Sequence, residues 1–315
     1  MAIVEHDPWR KQYFEGVDCP EEIFISTDDI DSYRLYPQHR WIYNKLQVAE
    51  TQGLPCAPHG IMPDAFPVFS KPIYNLRGMG METRIFEDAE TYLAERDPGH
   101  MWVELLQGEH LSSDVAVVEG RPVWWRHVWG KAGPHQTFDH WRVMAERKPE
   151  VEEHCERWIK SHFGDYTGMM NLETIGGKII EGHLRFADQW PDLYGKGWLD
   201  ALVRLHVKGT WDYADHDRRD GYSMVLFTAH GTLHRHPPTE VVQELLDDPA
   251  VSSVQITFHE DKPPEQHAMP PGGFRVAVIN TWDLEAGQNA RSRLAKWFFE
   301  NRRLRPRRRR HRLQS

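Results

Sequence analysis

Cysteine is scarce in this 315-residue chain. Cys19, Cys56 and Cys155 are three in number and far apart. That spacing argues against a disulfide framework or a clustered zinc motif and fits a reducing, cytoplasmic setting. Long apolar runs are missing as well: no stretch could cross a bilayer, and the opening Met1-Ala-Ile-Val-Glu-His-Asp-Pro lacks the pattern of a signal peptide. The expectation is therefore a soluble protein with no membrane partner. The chain also shows no Ser/His/Asp or Cys/His motif, which argues against covalent nucleophilic catalysis. No repeat or low-complexity region precedes the C-terminus.

Charge is unevenly spread. The formal net charge is −9, yet Arg302 to Ser315 holds eight arginines and no acid, so the remainder carries −17. Such a tail can bind nucleic acid, an acidic partner or a membrane surface through phosphate-type contacts, or fold back on the acidic body. It lacks aromatic interleaving and a companion basic domain, and so reads rather as a disordered, solvated extension with no catalytic role. With 40% apolar residues, a chain of this length can bury a sizeable core in two or more lobes.

What the sequence does contain is a hairpin with chemistry on it. Gly168-Met-Met-Asn171-Leu-Glu173-Thr-Ile-Gly-Gly177-Lys-Ile-Ile-Glu181-Gly-His183-Leu-Arg185 places a Gly176-Gly177 turn between two short apolar runs. Side chains alternate across a strand, so Glu181, His183 and Arg185 share one face of the second arm. Two carboxylates backed by a cation can hold Mg²⁺ and nucleotide phosphates, since that hard ion selects oxygen. An ordinary solvated hairpin face would look similar. Upstream, Phe66-Pro-Val-Phe-Ser-Lys71-Pro is an apolar run ending in a lysine, followed by the glycine-containing Asn75-Leu-Arg77-Gly78-Met-Gly80-Met. A lysine beside such a loop suits a polyphosphate. Met101-Trp-Val-Glu104-Leu-Leu106-Gln-Gly108-Glu109 and a second hairpin, Ser113 to Trp125, come next.

In this order the segments resemble the ATP-grasp family from about Trp41 to about Leu205. Asn44-Lys45 with Leu46 to Pro55 looks like that family's opening helix and turn, with Asn44 in place of the usual Asp. Phe69-Ser-Lys71-Pro72 is similar to its "iKP" strand, and Arg77-Gly78-Met79-Gly80 stands where it has a mobile glycine-rich loop. The resemblance implies that Lys45 and Lys71 contact ATP phosphates and that Gly78 and Gly80 close over the nucleotide. It implies that Glu104, Leu105 and Leu106 form the adenine hinge and that Glu109 bonds the ribose. It further implies that Glu173, Glu181 and the position of His183 hold Mg²⁺ or Mn²⁺, with Arg185 neutralising phosphate beside Lys71. His183 departs from the usual Asn, and a neutral imidazole suits Mg²⁺ poorly, so the two glutamates either suffice or the metal site is altered.

The fold class expected is α+β: an ATP-grasp fold of two α/β lobes gripping ATP, with a small C-terminal α/β addition. Its divisions are a residual N-terminal segment (1–40), a first lobe (41–100), a second lobe with the metal-binding hairpin (101–205), the C-terminal unit (206–300) and the basic tail (301–315). Helices are expected over Trp41 to Gln52, Glu87 to Glu95, Phe138 to Phe163 with an interruption at Pro149, Trp198 to His206, Thr239 to Leu246 and Asn289 to Trp297. Strands are expected at Glu21 to Thr27, Gly221 to Phe227, Val254 to Phe258 and Phe274 to Asn280. Trp124, Trp125 and Trp129 suit either a stacking platform or a hairpin core. Arg126 and His127 could reach a substrate anion, and His234 with His236 reads as surface histidine rather than zinc.

The activity implied is an ATP-dependent ligase, of the carboxylate–amine type that forms C–N bonds. It would activate a small carboxylate as an acyl phosphate for attack by an amine or similar nucleophile. A homodimer is compatible with this. The alternatives are a kinase-like phosphotransferase of the same fold and a non-catalytic nucleotide-binding scaffold using the tail.

Overall fold

The computed structural model describes residues 3–76, 82–133, 138–230, 232–263, 266–267 and 273–302. The glycine loop with Gly78 and Gly80, and the arginine tail from residue 303, lie outside the described residues.

The chain forms two compact units: residues 1–130 with 141–221, and residues 131–140 with 222–315. In the first unit, two short parallel strands, β1 (Ile3–Val4) and β2 (Ile25–Ser26), lead to helix α1 (Asp29–Leu35). Residues Pro37–Tyr43 then wind as a 3-10 helix before α2 (Lys45–Glu50). The expected continuous helix from Trp41 is thus broken at Asn44, whose side chain accepts from the Gln47 N–H at 3.1 Å and caps α2.

Strands β3 (Cys56–Pro58), β4 (Val68–Pro72), β5 (Arg84–Phe86) and β6 (His100–Glu104) form an antiparallel sheet in the order β3-β6-β4-β5. Helix α3 (Ala89–Glu95), capped by Asp88, lies between β5 and β6 in the chain. Ala49, Leu54, Met101 and Val103 form one core of this lobe; Val68, Phe86, Tyr92 and Trp102 form another.

Strands β7 (His110–Val118) and β8 (Arg121–Ala132) pair antiparallel, and β9 (Phe138–Val143) follows. Next come α4 (Pro149–His162), β10 (Gly168–Ile175), β11 (Lys178–His183) and α5 (Trp198–Lys208). The helix expected from Phe138 starts only at Pro149, where proline suits the first turn. Phe138 to Val143 is a strand instead, because pairing overrides its weak local preference.

Glu152, Cys155, Trp158 and Ile159 are the buried stripe of α4. Its apolar members pack with Val115, Val117, Met170 and Leu172 on one face of β7 and β10. Burying that face leaves the other for polar work. Gly182 marks the buried side of β11: a Cβ there would fall 2.7 Å from the Ile42 side chain.

In the second unit β12 (Gly221–Thr228), β13 (Val251–Ile256) and β14 (Phe274–Thr281) are antiparallel, with β14 central. Helices α6 (Thr239–Leu246) and α7 (Leu284–Glu300) contribute Leu245, Leu294 and Phe298 to a core with Met224, Val254, Phe258 and Ile279. The helix expected over Thr239 to Leu246 has those bounds in the structure.

Candidate active site

The register of the β10–β11 hairpin decides what the site can be. Glu173 lies directly opposite Glu181, and Asn171 opposite His183, so all four side chains share the face turned away from α4. β10 also pairs with β7, setting Asn171 against Asp114 and Glu173 against Ser112. Behind the two glutamates runs a buried hydrogen-bonded row. Asn171 Nδ2 donates to Ser112 Oγ at 2.9 Å and to Asp114 Oδ1 at 2.6 Å. Asp114 accepts further bonds from the Ala187 N–H and the Tyr194 hydroxyl. Burial pushes the Asp114 carboxyl up to about 6 even so.

The first lobe supplies the cations. Lys45, in the first turn of α2, sets its ammonium 3.0 Å from Glu181 Oε1. Lys71, near the end of β4, is 7% exposed and donates from Nζ to the Ile180 carbonyl at 2.7 Å. Burial and the neighbouring Lys45 charge push Lys71 down to about 8, against the pull of Glu181 and Glu173. Gln52, just after α2, fixes the lobe to the hairpin: its amide donates to the Ile179 carbonyl at 2.7 Å and accepts from the Ile179 N–H at 2.8 Å.

Glu173 lies 3.3 Å from His110 Nε2. Burial would raise this carboxyl, but the bond from His110 and the charges of His110, His183 and Lys45 hold it well below its usual range. His183 is tied through Nδ1 to Asp29 at 3.0 Å, and its Nε2 stands 3.9 Å from Glu181 Oε1. Burial disfavours the imidazolium, yet Asp29 outweighs it and raises the His183 pKa. Arg185 forms a two-pronged pair with the same Asp29 at 2.9 and 3.1 Å.

A hard divalent cation fits the two facing carboxylates as oxygen donors. The His183 imidazole suits it poorly, because such an ion selects oxygen over nitrogen donors. Among the described residues, the group of three acidic or histidine side chains with converging ligand atoms is elsewhere, at His6, Asp28 and Asp31.

The remaining expected positions are more scattered. Glu104 ends β6 opposite Val68 and donates its N–H to the Pro55 carbonyl at 2.9 Å. Leu105 is half-buried, and Leu106 packs on the Ala49–Leu54 core. Glu109 is exposed and paired with Lys148 at 3.1 Å. Trp124 and Trp125 are buried, Trp124 among Tyr194, Trp198 and Trp211. His234 and His236 bond Thr228 and the Phe258 carbonyl respectively.

Asp29, His110 and Asp114 were not legible as site residues. An aspartate inside the apolar strand Leu111 to Val118 was the available hint for Asp114, whereas Asp29 belongs to no motif in the sequence.

No family model and no curated protein matches the chain. Solved structures do. An L-amino acid ligase from Bacillus licheniformis has a TM-score of 0.60 at 11% identity, covering 95% of this chain and 84% of its own. A phosphoribosylamine–glycine ligase from Thermotoga maritima has a TM-score of 0.59 at 15% identity, covering 93% and 85%. A carboxyaminoimidazole ribonucleotide synthase from Aspergillus clavatus, complexed with ATP, has a TM-score of 0.58 at 12% identity, covering 87% and 82%. At such identities the likeness establishes the fold, and the fold is ATP-grasp.

Proposed function

We propose that the chain is an ATP-dependent ligase that activates a carboxylate as an acyl phosphate for attack by an amine or similar nucleophile. The observation that carries this reading is the meeting of Lys45 and Lys71 with the Glu173–Glu181 pair: two lysines and two carboxylates from separate sheets at one place. A buried lysine whose charge is disfavoured by its surroundings is costly unless an anion is to arrive. The three fold relatives above, two of them named as ligases of amino compounds and one complexed with ATP, point the same way.

In this reading Lys71 leaves the Ile180 carbonyl to meet a phosphate oxygen, while Lys45 turns from Glu181 toward the same group. Their charge lowers the energy of the transferring phosphoryl, the main electrostatic task in such chemistry. Glu173 and Glu181 would hold Mg²⁺ or Mn²⁺, which supplies further charge neutralisation on the phosphates. The backbone after β6, from Glu104 to Leu106, would face the adenine. Glu109 would reach the ribose only by leaving Lys148. The glycine loop at Gly78 and Gly80 would exclude water from the acyl phosphate. Arg185 is not assigned to phosphate, because Asp29 holds its guanidinium. The three free cysteines fit a cytoplasmic setting.

The test is ADP release from Mg·ATP by the purified chain with pooled small carboxylates and amines, set beside Glu181→Gln. Substrate-stimulated release that falls at least a hundredfold in the variant is the expected result. Product mass spectrometry must then find an acyl–amine bond; a stable phosphorylated product would mean a kinase. ATP binding without release from any pool would leave the scaffold reading in its place.

A further inference from the structure

Asp29 stands 156 residues ahead of Arg185, yet it takes one whole edge of that guanidinium: Nε donates to Oδ1 and Nη2 to Oδ2. His183 Nδ1 makes a third contact with Oδ1. The remaining Arg185 group, Nη1, donates to the Phe186 carbonyl at 3.2 Å. Asp29 is 6% exposed and His183 4%, so this is a buried cluster rather than a surface ion pair. The segment that delivers Asp29 is fastened along the same stretch of chain. Arg10 pairs with Asp188, the Phe14 and Phe186 rings pack edge to face at 6.4 Å, and the Tyr13 hydroxyl donates to the Gln189 carbonyl at 3.4 Å.

A guanidinium edge with a third donor beside it matches a planar carboxylate in shape and charge. We propose that Asp29 is the resident occupant of a carboxylate-binding fork formed by Arg185 and His183, and that it withholds this fork from substrate anions. The consequence for specificity is that a substrate carboxylate must be received elsewhere and nucleotide charge falls on Lys45 and Lys71. That consequence rests on the ligase reading; the fork itself does not.

Asp29→Ala in the full chain leaves a hole about the size of acetate between the Arg185 guanidinium and the His183 ring. Its thermal midpoint should fall by several degrees. Sodium acetate, compared with sodium chloride at equal ionic strength, should restore at least half of that fall in a saturable way. The wild type should show no acetate-specific shift, and Asp29→Ala combined with Arg185→Gln should lose the response. Should the alanine variant not fold in chloride, refolding in acetate is the same test: native near-UV dichroism recovered only with acetate supports the fork. An alanine variant without any acetate response, in stability or in refolding, overturns the proposal. So does a wild type that responds as strongly as the variant, since the fork would then be open. ATP turnover plays no part here, so a wild type that releases no ADP would sink the ligase reading and leave the fork standing.

Discussion

Replacing Lys71 by methionine should make the protein more stable at neutral pH while destroying nucleotide binding. Methionine is one atom shorter than lysine, fills most of the same space and carries no charge. Burial and Lys45 lower the Lys71 pKa from 10.5 to about 8. The group thus binds its proton less well folded than unfolded, so the charge is a penalty of roughly 3 kcal/mol that is fully present below about pH 8. The penalty fades as pH rises from about 8 to 10.5, where the unfolded chain still holds the proton and the folded one has lost it. Against this, Lys71→Met gives up the 2.7 Å bond to the Ile180 carbonyl, a loss of about 1–2 kcal/mol. The variant should therefore gain ~1–2 kcal/mol at pH 7, and the difference should change sign between about pH 9 and 10, leaving the variant the less stable of the two at pH 10.5. Urea unfolding of both proteins at pH 7, 9 and 10.5, with ATP binding followed by calorimetry, measures it. A variant less stable than wild type at pH 7 by the same margin as at pH 10.5 would refute the reasoning, because the ammonium would then not be held against a desolvation cost.

Two further outcomes follow from the second lobe. Glu152, in the first turn of α4, bonds His127 at 2.9 Å and Arg147 at 2.7 Å; burial raises its carboxyl, but these partners outweigh that and hold it down to about 2. Stability from a depressed carboxyl is present above its unfolded value and lost as pH falls toward 2. Discounted because Arg147 is 61% exposed, Glu152→Gln should cost about 2 kcal/mol at pH 7 and nothing near pH 2, read by chemical unfolding at both. Gly176, at φ +55° in the hairpin turn, has no room for a side chain: a Cβ would lie 2.2 Å from the Gln107 carbonyl oxygen. Gly176→Ala should cost roughly 2–4 kcal/mol and raise the KM for ATP, through displacement of the Gln107–Gly108 loop; an unchanged melting midpoint would count against that close approach.

Much of the candidate site was legible because its geometry is local. A Gly-Gly turn fixes a short hairpin, and alternation then sets which side chains share a face, so Glu181 and His183 could be placed together from the sequence. Lys71 was legible as the end of an apolar run. The errors were local as well. Phe138 to Val143 could serve as helix or strand and was decided by pairing, and the helix expected from Trp41 is divided by the Asn44 cap. Gly78 and Gly80 fall outside the described residues.

The sequence by itself determined most of the elements and which side chains share a face within one strand, since each depends on neighbours a few residues apart; that Glu173 shares the face of Glu181 required the register shift between Glu173 and Thr174. Only the tertiary structure decided which charges face each other. Lys45 meets Glu181, Lys71 meets Ile180, and Asp29 meets Arg185 and His183 across gaps of more than a hundred residues. Packing of separate elements closes such gaps, and no periodicity in the chain encodes them. The same packing sets the proton affinities, because burial and the partner charge act through space rather than along the backbone.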